Sequence, residues 1–196
     1  DMSSTNFVAD RKELNFVVLE VLNAKKLCEF NAFSEFDEDL FSMTINEACT
    51  FAEKVLDPLN KNGDREGCKV KDGKVFTPKG FPEAWKKMGL EGWLSMGMPQ
   101  EFGGLGLPDL ITIAAKEVQL ASNQSICIGN TLTTGSANLI IQFGSEEQKQ
   151  YYCNNMLSGK WSGTMCLTEP HAGSSVGDII TTATKQPNGS YLIKGT

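Results

Sequence analysis

A single histidine, His171, stands among the 196 residues. Any Ser-His or Cys-His nucleophilic catalysis would have to use it, and no ligand set for zinc can be assembled around it. The six cysteines, Cys28, Cys49, Cys68, Cys127, Cys153 and Cys166, contain no C-x-x-C pair and no even spacing. That excludes the common zinc and disulfide frameworks and leaves reduced, buried, apolar thiols of a reducing compartment as the expectation. The Asn-x-Ser triplets at Asn123 and Asn188 are then chance matches. No apolar run is long enough to cross a bilayer, so no integral membrane segment is expected. The opening DMSSTNFVADRKEL lacks the apolar core of a signal peptide and the Arg-rich, acid-poor character of a transit peptide. Basic residues are scarce too, 18 Lys and Arg against 24 Asp and Glu for a net charge of −6. A nucleic-acid surface needs cations to replace phosphate counterions, so that class of partner is excluded. What is present, 40% hydrophobic and 21% charged residues, describes a globular chain.

Up to about Gly159 the apolar spacing is helical. Leu14, Val17, Val18, Val21 and Leu22 repeat at three-four intervals and predict one buried helix face. Asp37, Glu38 and Asp39 place acids at the positive end of a second helix, which runs through Leu40, Phe51 and Leu56 and is expected to stop near Asp57-Pro58. Residues 60–80 are polar and glycine-containing and read as a long loop. A short helix holds Trp85 and Met88, and the glycine-rich GMPQEFGGLGLP follows. Helices are expected at 108–121 and 124–143, with Gly144 as a stop and Ser145-Glu146-Glu147-Gln148 as a capping box for the next. Beyond Gly159 the period changes. Residues 161–167 and 179–185 are strand candidates, and Pro187-Asn188-Gly189 turns a hairpin into Tyr191-Leu192-Ile193. Two strands and a piece cannot form an independent sheet, so a longer β domain cut at its start is expected.

Three features carry chemistry. Gly103-Gly104-Leu105-Gly106 has no preceding strand and no following Gly-Lys-Ser/Thr, so it reads as a tight helix-to-helix connection and not a phosphate loop. In MCLTEPHAGSSVGD, residues 165–178, His171 has no acid placed to orient it and reads as an exposed or rim residue. Glu169, directly before a proline, suits a structural hydrogen bond better than a base. Thr168, Gly173 and Ser174 offer consecutive backbone N–H groups and hydroxyls beside the small Ala172. Such a turn can form a concave nest for an anionic cofactor or serve as a plain β corner, and the residues alone leave both open.

MCLTEPHAGSS resembles the signature of the acyl-CoA dehydrogenase family, close to x-C-x-T-E-P-x-A-G-S-D. PQEFGGLGLP, GSEEQKQYY, SGKWSGTMCLTEP and the hairpin into YLIKGT agree with it, so the resemblance spans essentially the whole chain. FDEDLFSMTINEACTFAEKVLDPLN, GDREGC and TPKGFPEAW are similar to the longer subgroup typified by 3-methylmercaptopropionyl-CoA dehydrogenase, which carries an N-terminal extension.

The resemblance implies a mainly α N-terminal domain followed by the start of a β-barrel middle domain, part of an α/β-barrel/α architecture. Residues 1–35 would be the helical extension, 36–160 the helical domain, and 161–196 the truncated start of the barrel. It implies FAD as cofactor, an acyl-CoA substrate converted to the trans-2-enoyl-CoA as in β-oxidation, and electrons passed to an electron-transfer flavoprotein. The complete protein would be a homo-oligomer, dimer or tetramer, in the mitochondrial matrix of a eukaryote or the cytoplasm of a bacterium. Met165, Leu167 and Thr168 would border the flavin ring. Gly173 and Ser174 would lie on the FAD pyrophosphate, with Ser174 also near the CoA. Ser175 stands where the family usually has aspartate, and Met165 where an aromatic is common. The aromatic-x-Ser/Thr stretch that follows KGT in the family, and the helical bundle with its catalytic carboxylate, are not among these residues, so none is assigned as catalytic. A non-catalytic relative acting as a scaffold and an acyl-CoA oxidase-like flavoenzyme are the alternative readings.

Overall fold

The computed structural model describes residues 7–195. Residues 1–6 of the expected extension, and Thr196, lie outside the described part. The chain divides into two compact units, Asp1–Thr164 and Met165–Thr196.

The first unit is helical. Asp10 caps α1 (Arg11–Asn15), which widens into a π-helical turn at Phe16–Val21. Of the predicted face, Val18 is buried and Leu14 packs partly on the core, but Val21 and Leu22 are exposed. The wider turn rotates later residues away from the three-four register, so the stripe does not continue. Asp37 accepts from the Leu40 N–H and opens α2 (Glu38–Phe51), as the acidic cluster predicted.

The expected stop at Asp57-Pro58 is absent. The helix passes through a π-helical turn at Ala52–Leu56 into α3 (Asp57–Glu66), with the Asp57 N–H donating to the Ala52 carbonyl. Proline lacks an N–H and its ring crowds the carbonyl one turn back. At the wide turn the ladder is already shifted, and Pro58 falls in the first turn of α3, where its missing donor is tolerated.

The predicted loop over 60–80 is likewise structured. After α3 comes a hairpin, β1 (Lys69–Lys71) and β2 (Lys74–Phe76), paired Lys69↔Phe76, Val70↔Val75 and Lys71↔Lys74. Asp72 and Gly73 both have positive φ, 52° and 71°. This is the backbone an Asp-Gly hairpin requires, and the dipeptide was the available signal.

The later helices agree with the sequence: α4 (Phe81–Leu90), α5 (Asp109–Ser122) and α6 (Gln124–Phe143). The glycine-rich stretch between α4 and α5 is a tight connection. A Cβ at Gly104 would collide with the Met98 carbonyl, and Gly103 and Gly106 have φ of 82° and 65°. At Gly144 the chain leaves α6 extended, with its N–H still bonded to the Ile140 carbonyl at 2.7 Å. Ser145 and Gln148 form the reciprocal capping box of α7 (Glu146–Gln148), which continues through Lys149–Cys153 into α8 (Asn154–Leu157). Phe41, Ile45, Ala48 and Leu56 bury against Met88, Leu94, Ile111 and Ala115, and this is the main core. A smaller cluster joins Phe102, Ala137, Cys153 and Leu157. Asn123, fully buried, caps α6 by accepting from the Ile126 N–H and donates to the Leu56 carbonyl at 3.1 Å. Its amide is thus spent inside the unit. Cys49, Cys127 and Cys153 are buried as expected, Cys28 partly so, but Cys68 and Cys166 are exposed.

The second unit has one sheet, the antiparallel hairpin β3 (Thr182–Lys185) and β4 (Tyr191–Lys194), turned at 187–189 as predicted. The strand candidate at 161–167 is not a strand, and the one at 179–185 begins only at Thr182. Extended, apolar-alternating segments become strands only where a partner supplies the ladder, and here residues 161–167 have none among the described residues.

Candidate active-site turn

The 165–178 stretch is a short corner. Glu169 and Ala172 exchange backbone hydrogen bonds, Glu169 N–H to the Ala172 carbonyl at 3.2 Å and Ala172 N–H to the Glu169 carbonyl at 3.1 Å. Pro170 and His171 occupy the bend, since proline fixes its own φ at a turn position. Ala172 is buried and lets the chain fold back, and the chain then continues through Gly173, Ser174 and Ser175 into a single 3₁₀ turn, Val176–Asp178.

Glu169 is 4% exposed. Its Oε2 accepts from the Ile180 N–H at 2.9 Å, and its Oε1 accepts from the Thr181 N–H at 2.9 Å and from the Thr181 hydroxyl. The Ile180 N–H, then the Thr181 donors, hold its carboxyl below the ordinary value, with His171 adding to the effect. A carboxylate committed to three donors is a poor proton acceptor, so the structural reading of Glu169 holds. The side chain of His171 is 45% exposed, with Nε2 3.2 Å from the Asp178 carbonyl and 3.6 Å from Glu169 Oε2. The second distance is too long for a hydrogen bond. No serine or cysteine of the described residues hydrogen-bonds the ring.

Met165, Leu167, Thr168, Gly173 and Ser174 are all exposed. The structure brings Thr168, Gly173 and Ser174 to the two ends of the Glu169–Ala172 corner, with Met165 and Leu167 on the approach to it. The N–H groups of Gly173, Ser174 and Ser175 donate to no acceptor among the described residues. A Cβ at Gly173 would meet nothing within 4 Å. An open row of N–H donors beside small residues fits the pyrophosphate of a dinucleotide. Ile180 and Thr181, which lock the corner, were not predicted. Nothing in the local sequence links them to Glu169 across 11 and 12 residues.

A separate hollow of about 410 Å³ lies in the helical unit, walled by Phe81, Trp85, Ile126 and Trp161 with Lys160 at its rim. It contains no residue of the corner and no carboxylate. Among the described residues no three His, Cys, Asp or Glu side chains are gathered as a metal would need.

Residues 39–160 match the acyl-CoA dehydrogenase N-terminal domain. The chain belongs to the acyl-CoA dehydrogenase family. It is 32% identical over 190 residues to 3-methylmercaptopropionyl-CoA dehydrogenase of Ruegeria pomeroyi, covering 97% of this chain and 32% of that protein. It is 33% identical to a butyryl-CoA dehydrogenase of Syntrophomonas wolfei, covering 99% of this chain and 32% of the relative. Among solved structures, butyryl-CoA dehydrogenase of Megasphaera elsdenii superposes with a TM-score of 0.66 at 28% identity, over 80% of this chain and 39% of the other. The chain thus spans about a third of the length of the curated acyl-CoA dehydrogenases it matches.

Proposed function

We propose that this chain is the front part of an FAD-dependent acyl-CoA dehydrogenase and that the 165–175 corner receives the flavin. The open N–H row at Gly173–Ser175, fastened from behind by Glu169, carries this reading. In it the Gly173 and Ser174 amides bind the pyrophosphate, and Thr168, through its hydroxyl, and Leu167, through its backbone, meet the polar edge of the flavin ring. Met165 lies along the ring, and Ser174 reaches toward the CoA. FAD, when bound, supplies the hydride acceptor for α,β-dehydrogenation of the thioester. Glu169 is committed to its donors, so it is assigned no proton-accepting role. The proton acceptor, as the family resemblance implies, would be a carboxylate outside these residues.

The relatives' names support an acyl-CoA substrate. An electron-transfer flavoprotein as electron acceptor, a homo-oligomeric complete protein, and a mitochondrial-matrix or bacterial cytoplasmic location complete the proposal. No helix among the described residues is long and apolar enough to cross a membrane. The test is the full-length protein: it should be yellow, and butyryl-CoA or another acyl-CoA should bleach it without oxygen. Colourless protein would point to a scaffold, and rapid peroxide release in air to an oxidase.

A further inference from the structure

We propose that Glu169 is a positioning residue for the flavin-binding corner, its carboxylate pinning the turn to the Ile180–Thr181 backbone so that the Gly173–Ser175 amides stay aimed at the anion. The inference rests on the flavin reading above. Among the described residues of the second unit only Glu169 and Ala172 are buried, and every residue of β3 and β4 is exposed. Apolar packing within this unit therefore cannot hold the corner in shape. Besides the local backbone bonds, two side-chain links reach from the corner to residues 178–181. One is the three-donor carboxylate, and the other is the His171 ring on the Asp178 carbonyl. Charge-assisted bonds to a carboxylate are the stronger kind. The His171 link is neutral unless the ring is protonated, and it is largely exposed.

Loss of the charge would release the corner. A protonated or amidated Glu169 keeps one good acceptor for three donors, so at least one of Ile180 and Thr181 detaches. His171, 3.6 Å away, is the titratable group facing the carboxylate among the described residues. The carboxyl is held below its ordinary value, so the link is intact at neutral pH and is lost as pH falls through that lowered value.

The experiment uses the full-length protein. FAD affinity is read at neutral pH from flavin fluorescence on titrating the apoprotein, with the thermal midpoint of each apoprotein measured alongside. Glu169→Gln should raise the FAD Kd about tenfold or more, while Glu169→Asp, which keeps the charge, recovers part of the affinity. Thr181→Val removes one donor only and should raise the Kd severalfold at an unchanged thermal midpoint. If Glu169→Gln fails to fold, Thr181→Val and Glu169→Asp decide the matter. Affinities within twofold of wild type in the folded variants, or no recovery by Glu169→Asp over Glu169→Gln, would overturn the proposal. Wild-type protein that holds no FAD would overturn the flavin reading itself, which separates the two failures.

Discussion

At Gly173 the backbone does not need a glycine. Its φ is not positive, and a side chain there would point into open space. The flavin reading alone gives the missing side chain a use: a ligand could approach the amides closely. Gly173→Val should therefore leave the folded stability of the chain unchanged while sharply lowering flavin content of the complete protein; Cys28→Ala is the control. Equal flavin-to-protein absorbance ratios in wild type and Gly173→Val would refute the contact. His171 faces solvent and bonds a carbonyl, so His171→Gln in the complete protein should retain most turnover with acyl-CoA. A loss of several orders of magnitude would reassign it as catalytic.

Among the elements, close approach and helix propensity give opposite signs to two helical glycines. A Cβ on Gly89, in α4, would collide with the Ser158 carbonyl just past α8, so Gly89→Ala should destabilise by about 1–3 kcal/mol through overpacking. Gly135, inside α6, has nothing within 4 Å, and Gly135→Ala should stabilise by about 0.5–1 kcal/mol from helix propensity alone. Denaturant midpoints of both variants check the pair. The N-terminal element is fastened differently. Arg11 grips Glu53 in bidentate fashion, Nη1–Oε1 2.7 Å and Nη2–Oε2 2.8 Å, and the Ala9 N–H adds a third bond at 3.0 Å. The Arg11 hydrogen bond, above all, draws the Glu53 carboxyl from 4.5 down to about 2. Because the folded value is depressed, this stabilisation is complete above the unfolded value near 4.5 and is lost as pH falls towards 2. The pair is partly exposed, 35% and 21%, so solvent screening limits Glu53→Gln to a loss of about 1 kcal/mol at neutral pH. Melting curves of wild type and Glu53→Gln should converge as pH is lowered through that window.

On the scale of the whole molecule, the helical unit has a core and the second unit has almost none. The chain of residues 1–196 alone is therefore expected to bind FAD weakly or not at all and to show no dehydrogenation, since positioning of base, thioester and flavin needs walls that it does not supply. Limited proteolysis should remove residues after about 164 first and leave the helical unit intact, as its buried backbone resists cleavage. An intact 21.4 kDa species that holds FAD stoichiometrically and is bleached by acyl-CoA would contradict this. Sequence alone determined what local chemistry decides. The acidic start of the helix at 37–39, the capping box at Ser145, α5 and α6 and the 187–189 turn were legible, because dipole complementarity, capping, periodicity and turn propensity act over a few residues. The hairpin at Asp72-Gly73 is equally local, but its two-residue signal sits among polar neighbours that read as loop. Tertiary structure alone decided the rest. Pro58 is carried inside a continuous helix where a wide turn precedes it, and residues 161–167 stay unpaired because no strand among the described residues lies beside them. Glu169 became a fastener and not a base through donors 11 and 12 residues away, a distance over which chain proximity says nothing and only the folded path brings the groups together.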